Sequence, residues 1–383
     1  MAATYGFLST YPPTQCGLAT FNAALATHLN AAAGGGGVVR LVADDDAAGG
    51  LPLDRTAPRV VHTWRTDTPG GWAAATNALN RFDVAIVQHE YGIYPGDAGQ
   101  EVLPLLRRLK VPTIVVLHTV LSNPDPLQRS VLERIVSTAD AVVTMTDTAR
   151  HRLIAGYRVE PRKIAVIPHG AASHTSAPRD RRDRPHLLTW GLLGPGKGIE
   201  WALRALALLK DDPAPTYTVA GRTHPNVLAH HGDVYRESLQ TLAAELGVND
   251  SVTWDDVYHD QATLSRLIRS ADVVVLPYDS TEQVTSGVLI EAVGAGVPVV
   301  ATEFPHAVEL LADGPGLLVP HHGPEAMAAA IRHLIAQPNV AGLSGLGGGP
   351  TLRWPAVAAR YQALAARLLA EGAPVTATAK LPA

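Results

Sequence analysis

Short runs of aliphatic and β-branched residues recur along this chain, and each gives way to a polar or glycine-bearing loop. Tyr5–Thr10, Val38–Ala43, Asp83–Gln88, Val111–Leu117, Asp140–Thr146 and Lys163–Pro168 mark the first half. His186–Trp190, Tyr217–Gly221, Ser251–Trp254, Ala271–Pro277, Val299–Thr302 and Gly314–Pro320 mark the second. Apolar runs this short, bounded by turn residues, read as strands buried on both faces. Helical spacing fills gaps between them: Leu18, Phe21, Leu25 and Leu29 share one face, and a second amphipathic segment runs from Ile199 through Leu209. Strands that alternate with helices build parallel sheets with helices on both sides. The polar, proline-containing stretch Ala171–Arg184 separates two such halves and reads as a solvated connector. With 383 residues the chain is long enough for two domains. The expected fold class is therefore α/β, with two doubly wound domains facing one another. The expected division is residues 1–170, a linker over 171–185, a second domain over 186–350, a terminal helix over 351–372 and a tail over 373–383.

Ligands of open α/β sheets bind beyond the carboxyl ends of the strands, so the loops there carry the functional signal. In residues 285–302, TSGVLIEAVGAGVPVVAT, small residues open a helical-looking segment that breaks at Gly294 and Gly296 before a buried strand. Glu291 sits early in that helix, where a carboxylate can accept both hydroxyls of a ribose. An acidic residue that merely complements the helix dipole is the competing reading. The polar loop Tyr278–Thr285 leads into this helix and can wrap a polar ligand. In Gly191–Gly198 (GLLGPGKG) four glycines let the backbone approach an anion, and Lys197 adds a point charge at a helix start. It is not a P-loop, since no Ser or Thr follows the lysine. Tyr11–Gly17 repeats the strand–loop–helix plan with Gly17 alone, so the three-glycine dinucleotide fingerprint is missing. His89-Glu90-Tyr91 and His118-Thr119 also follow strands; a histidine beside a carboxylate can relay or orient a proton, or simply line a polar loop.

Other features bound the function by exclusion. The formal net charge is −4, with 31 basic against 35 acidic residues, and no basic stripe marks a nucleic-acid surface. A single cysteine, Cys16, rules out internal disulfides, suits a reducing cytosol and is expected as a small buried hydrophobe. No signal-peptide pattern and no apolar run of about 20 residues appears, which predicts a soluble cytoplasmic protein. Asp44-Asp45-Asp46 reads as a solvated turn, because consecutive side chains on extended backbone diverge and converge poorly on one ion. The pairs His230-His231 and His321-His322 lack a third ligand at metal spacing and are expected to be exposed. His169 reads as a turn residue without chemistry.

The 191–198 loop and the 283–302 segment together resemble the donor-binding region of retaining nucleotide-sugar glycosyltransferases of the GT-B fold, family 4, also called glycosyl transferases group 1. That family carries two glutamates eight positions apart, then a small-residue turn and a strand like Pro298–Thr302. Glu291 matches the second glutamate; Gln283 stands at the first, with Glu282 one residue out of register. Lys197 matches the lysine that binds the donor diphosphate, whereas Leu192 stands where an arginine is usual. The resemblance covers nearly the whole chain. It implies two Rossmann-like domains, with the terminal helix crossing back to the first. It also implies metal-independent transfer of a sugar, with retained configuration, from a nucleoside-diphosphate sugar to an acceptor hydroxyl. By the same resemblance Gly17, Gly194, Gly196, Lys197, Tyr258, Ser286, Gly287, Val288 and Glu291 are donor-binding. His118, Lys197 and Gln283 would be catalytic, and His89, Glu90 and Tyr91 would face the acceptor. No cofactor is implied beyond the donor as co-substrate. The acceptor classes are a small molecule, a glycan or a lipid-linked molecule. Competing activities on this fold are a sugar phosphorylase, a nucleotide-sugar epimerase, or a non-catalytic binding relative.

Overall fold

The structure, a computed structural model, describes residues 2–31, 34–43, 58–173, 182–210, 213–312, 314, 316–336 and 350–372. The Asp44–Asp46 turn, the middle of the linker, the glycine-rich stretch 341–349 and the tail 373–383 lie outside the described residues.

The first domain carries seven strands: β1 (Tyr5–Ser9), β2 (Gly36–Val42), β3 (Arg59–Arg65), β4 (Val84–His89), β5 (Thr113–Leu117), β6 (Ala141–Thr144) and β7 (Ile164–Val166). They form one parallel sheet in the order β3-β2-β1-β4-β5-β6-β7. Helices α1 (Gly17–Ala31), α2 (Trp72–Leu79), α3 (Val102–Leu106), α4 (Pro126–Thr138) and α5 (Asp147–Gly156) accompany them. The second domain has β8 (His186–Trp190), β9 (Thr216–Ala220), β10 (Val252–Asp255), β11 (Val273–Leu276), β12 (Val299–Thr302) and β13 (Gly316–Val319), all parallel, in the order β10-β9-β8-β11-β12-β13. Its helices are α6 (Ile199–Leu208), α7 (Pro225–His231), α8 (Val234–Glu245), α9 (Gln261–Ser270), α10 (Gly287–Gly294), α11 (Pro305–Leu311) and α12 (Pro324–Ala336), with α13 (Trp354–Gly372) following.

Local chemistry explains these boundaries. Every residue of β4 is buried, as expected of a strand with helices on both faces. Helix α4 begins with a capping box: Asp125 accepts from the backbone of Leu127 and Gln128, and the Gln128 side chain accepts the Asp125 N–H in return. Strand β3 is not among the runs that pattern picks out. It is an edge strand on which Val60 and Val61 are both exposed, so burial imposes neither alternation nor continuous apolarity.

The terminal helix does cross back. Trp354, Val357, Tyr361 and Ala365 of α13 share a core with Phe21, Leu25 and Leu29 of α1. The chain thus passes between the domains twice at one place, where the Ala171 N–H donates to Leu352 O at 2.7 Å and Trp354 N–H to Ala171 O at 3.3 Å. Gly170 must lack a side chain there, since a Cβ would lie 2.3 Å from the Trp354 ring. The described ends of the linker are less solvated than expected: Ala171 is buried, and Arg184 donates to Ala214 O at 2.7 Å and to Ser251 Oγ at 2.9 Å in the second domain. No helix among the described residues is long and apolar enough to cross a membrane.

The β8–α6 loop is held against the end of β11. Gly198 has φ +63°, and a Cβ on it would come 1.8 Å from Pro277 O; Gly196 has φ +86°, with open space around it. Gly196→Ala should therefore lose about 1–2 kcal/mol of stability through backbone strain alone. Gly198→Ala should lose about 1–3 kcal/mol more, because the neighbouring backbone must also move. Urea unfolding of the two variants side by side checks the ordering.

Candidate active site

The loops that meet between the domains all follow carboxyl ends of strands. On the second domain, Leu193 N–H donates to Arg222 O at 2.8 Å and His224 N–H to Leu193 O at 2.8 Å, so the loops after β8 and β9 lie edge to edge. Gly194 is buried against Val227, and Val288 lies 3.6 Å from where a Gly191 Cβ would sit. The Lys197 ammonium stands 4.6 Å over the Tyr278 ring, a cation–π contact. Burial pulls the Lys197 pKa below its ordinary value. Among the described residues no carboxylate pairs with this lysine. A desolvated ammonium is stabilised by any anion that comes within about 4–6 Å. Asp279 steadies the loop: its N–H donates to Gly196 O at 3.0 Å, and its carboxylate accepts from Trp201 at 3.0 Å and meets His322 at 3.1 Å. His321, expected to be exposed, is half-buried with Nδ1 2.9 Å from Tyr278 O. The loop after β13 thus packs on the loop after β11 and, through His322 on the Trp201 ring at 4.9 Å, on α6, a contact between distant segments.

Helix α10 begins at Ser286, whose Oγ accepts the Leu289 N–H at 3.2 Å. His306, which no motif singled out, holds the preceding turn from both ends. Its N–H donates to Gln283 O at 3.2 Å, and its Nδ1 accepts the Ser286 N–H at 2.7 Å. The Gln283 amide donates to Thr285 O at 3.2 Å. Gly287 abuts the first domain, where a Cβ would stand 2.9 Å from His169 Nε2. His169 is therefore no bare turn residue: its ring packs on Phe21 and Trp354 at 4.9 and 5.5 Å beside the start of α10. Glu291 accepts the Ala172 N–H with both oxygens, at 3.3 and 3.2 Å, which ties it to the linker.

On the first domain, His118 Nε2 lies 2.8 Å from Gln88 Oε1, and its ring meets Phe21 edge-on at 4.8 Å. Burial, then the neighbouring His169 and His89, push its pKa down to about 3, so the imidazole is neutral. Half-buried Glu90 accepts from the Thr119 hydroxyl and from Tyr91 N–H, and burial raises its pKa. His89 is 1% exposed and Tyr91 9%, with their rings edge to face at 5.1 Å. Of the three acceptor-side candidates only Glu90 keeps appreciable exposure. Gly17 starts α1 in the open, with nothing near the position of a Cβ. Cys16 corrects the expectation of a buried hydrophobe. It is half-buried, with Sγ 3.3 Å from Thr10 Oγ1 and accepting the Ala19 N–H at 3.4 Å, so the thiol helps cap α1.

Cross-domain bonds close the site on two sides. Tyr258, expected near the nucleotide base, shares a 3.0 Å hydrogen bond with Thr20, and Arg222 donates to Gln15 at 3.3 Å. On the other side Glu282 accepts Ser122 N–H at 2.8 Å and pairs with Arg152 at 3.0 Å, while Arg152 also donates to Thr281 O and Val120 O. The Thr146 hydroxyl donates to Val284 O at 3.0 Å, and Val284, 1% exposed, joins the first domain's core. Glu309 accepts Asp147 and Thr148 N–H at 2.9 and 2.8 Å, which places a carboxylate at the start of α5. The acid one residue out of register thus serves domain contact. Arg152 and Glu309 carried no motif; each is a charged residue within a helix, α5 and α11, and nothing in its spacing marks a partner in the other domain.

Two parallel-sheet domains facing across a cleft, one bearing a glycine loop before its first helix and the other receiving the terminal helix, define the GT-B architecture. Residues 17–173 match the family model described as Glycosyltransferase Family 4, and residues 184–337 that described as Glycosyl transferases group 1; the chain belongs to this glycosyltransferase family. A D-inositol 3-phosphate glycosyltransferase of Kineococcus radiotolerans is 28% identical over 312 residues, 72% of this chain and 70% of that protein. Two further proteins of the same description are matched over 60% and 66% of their length. Sucrose-phosphate synthase from Thermosynechococcus elongatus superposes with a TM-score of 0.75 at 19% identity, over 97% of this chain and 100% of that one. HepE from Anabaena in complex with UDP gives 0.68 at 18%, over 96% and 98%. At these identities the two structures speak for the fold.

The buried histidines predict an acid-sensitive fold. His89 has a folded pKa of about 4, lowered by burial, against the ordinary 6.5, and both its ring nitrogens lack a partner. The folded pKa lies below the unfolded one, so between them the unfolded chain binds more protons. Stability is then fully present above about pH 6.5 and is lost as pH falls toward about 4. Each such histidine contributes a slope of up to about 1.4 kcal/mol per pH unit. His89→Phe should remove one such increment without loss of stability at pH 7, as urea unfolding at pH 7, 6 and 5 will show.

Proposed function

We propose that this glycosyltransferase moves a sugar from a nucleoside-diphosphate sugar to an acceptor hydroxyl, with retention and without a metal ion. The observation that carries this is Lys197, a desolvated ammonium of the glycine loop that stands over the Tyr278 ring with no carboxylate partner among the described residues. As the bond to the anomeric carbon breaks, negative charge grows on the departing diphosphate. Lys197 and the loop N–H groups stabilise it there. Glu291, about one turn into α10, holds the ribose, and Ser286, Gly287 and Val288 offer the α10 start to the donor. His118 stays neutral. With Nε2 directed at Gln88, its Nδ1 can accept a sugar hydroxyl. Gln283 contacts the donor sugar near the reacting carbon, and the acceptor enters past Glu90 and attacks on the face the diphosphate leaves. A donor phosphate oxygen takes the acceptor proton. UDP is the first nucleotide to test, since HepE was solved with it, and D-inositol 3-phosphate is the first acceptor, since several relatives carry that name. A cytoplasmic setting, with the single cysteine kept reduced, suits this reading.

The deciding experiment incubates the enzyme with UDP-, GDP- and ADP-sugars and an acceptor panel, with and without EDTA, and reads product anomers by NMR. A product with the donor's anomeric configuration, formed equally in EDTA, is expected; inversion or an EDTA-sensitive rate refutes that part of the reading. Lys197→Ala should lower kcat/KM by about 2–4 kcal/mol in transition-state free energy with the fold intact. Near-normal turnover would remove the phosphate role.

Glu291 offers a separate check. If it binds the ribose, Glu291→Ala weakens nucleoside-diphosphate binding in calorimetry, and Glu291→Gln does less harm because its amide keeps an acceptor. Because Glu291 also holds Ala172 N–H, unchanged affinity with a lower melting temperature would make it a linker anchor alone.

A further inference from the structure

The loop after β9 is fastened along the glycine loop. Besides the two 2.8 Å backbone bonds, Gly221 lies so close to Gly191 that a Cβ would come 2.1 Å from the Gly191 carbonyl oxygen. The two loops form one layer of backbone, which carries Arg222 and His224 alongside the 191–198 loop. Position 192 in that layer is an apolar leucine, and the 191–198 loop holds only one cation, Lys197. A diphosphate diester bears a charge on each phosphate. One desolvated ammonium therefore leaves a net negative charge in a partly dry site, where the imbalance is costly.

The neighbouring loop has the groups to correct this. Arg222 is exposed and pairs with no carboxylate among the described residues. Its guanidinium reaches across the cleft to the neutral amide of Gln15 at 3.3 Å. A neutral acceptor is a weak partner for a planar fork that binds phosphate in two places. His224 caps α7: its Nδ1 accepts the Asn226 N–H at 3.2 Å, so a neutral ring carries its proton on Nε2 as a donor. It also lies near enough to Lys197 for the ammonium, after burial, to help lower its pKa.

We propose that Arg222 and His224 complete the diphosphate cradle begun by Lys197, with Arg222 supplying the second charge and His224 a hydrogen bond. This rests on the reading of the cleft as a nucleoside-diphosphate-sugar site. Arg222 then exchanges Gln15 for a phosphate when the donor arrives.

Calorimetric titration of UDP, GDP and ADP, each with its monophosphate, tests this on the full chain. Arg222→Gln should weaken the preferred diphosphate about tenfold or more, and the monophosphate less. It should also flatten the salt dependence of affinity, and Arg222→Lys should recover part of the loss. His224→Ser, which keeps a capping oxygen for Asn226, should weaken the diphosphate several-fold, about what one hydrogen bond to a charged group supplies. Gln15→Ala should matter less than Arg222→Gln. If the wild type binds none of the three diphosphates, the cleft reading and this inference both fail. If Lys197→Ala weakens binding while Arg222→Gln and His224→Ser stay within about twofold, only this inference fails. Equal losses for diphosphate and monophosphate, or a Gln15→Ala loss equal to that of Arg222→Gln, would make the loop a strut between domains and would also overturn it.

Discussion

The turn from Thr281 to Ser286 is held by both domains at once, and the arrangement of the cleft depends on it. From the first domain, Arg152 takes the carbonyls of Thr281 and Glu282 together with the Glu282 carboxylate, and Val284 is buried in that domain's core. From the second, His306 takes Gln283 O and Ser286 N–H. Gln283 and the start of α10 are thereby placed relative to the first domain's loops by packing and hydrogen bonds rather than by the linker. A half-buried ion pair whose arginine also satisfies carbonyls is worth more than an exposed one, because fewer of its donors are left to water.

The opposite side of the cleft is built differently. The Tyr258 hydroxyl meets Thr20 and donates to Cys16 O at 3.4 Å, Arg222 donates to Gln15, and among the described residues no apolar side chain joins the opposite domain's core there in the way Val284 does. Bonds of this kind contribute about 1 kcal/mol each. The geometry divides the interface into a firm side at 281–284 and α11, and a lighter side at Tyr258 and Arg222.

Electrostatics follow the same division. The lysine of the glycine loop is desolvated over Tyr278, while Arg222 stands exposed beside it. The first domain faces them with the open start of α1 and with a neutral, buried His118. The second domain thus carries two cations near its glycine loop, and the first presents the neutral His118 beside the half-buried Glu90.

The sequence by itself determined the two α/β halves, the terminal helix and the place of the glycine loop before α6. Buried parallel strands such as β4 and β11 need unbroken apolar runs, and a glycine loop before a helix can be read without coordinates. It also marked Lys197, Glu291 and His118, because each follows a strand end in recognisable context. It did not reveal β3, whose exposed edge has no pattern to show, nor that His169 and His306 pack around the start of α10. Only the tertiary structure decided that Glu282 grips Ser122 and Arg152, that Glu309 meets α5, and that Arg222 lies along the Gly191 loop. Those pairings join residues far apart in the chain, and their energy depends on distance and burial, which residue type and spacing do not encode.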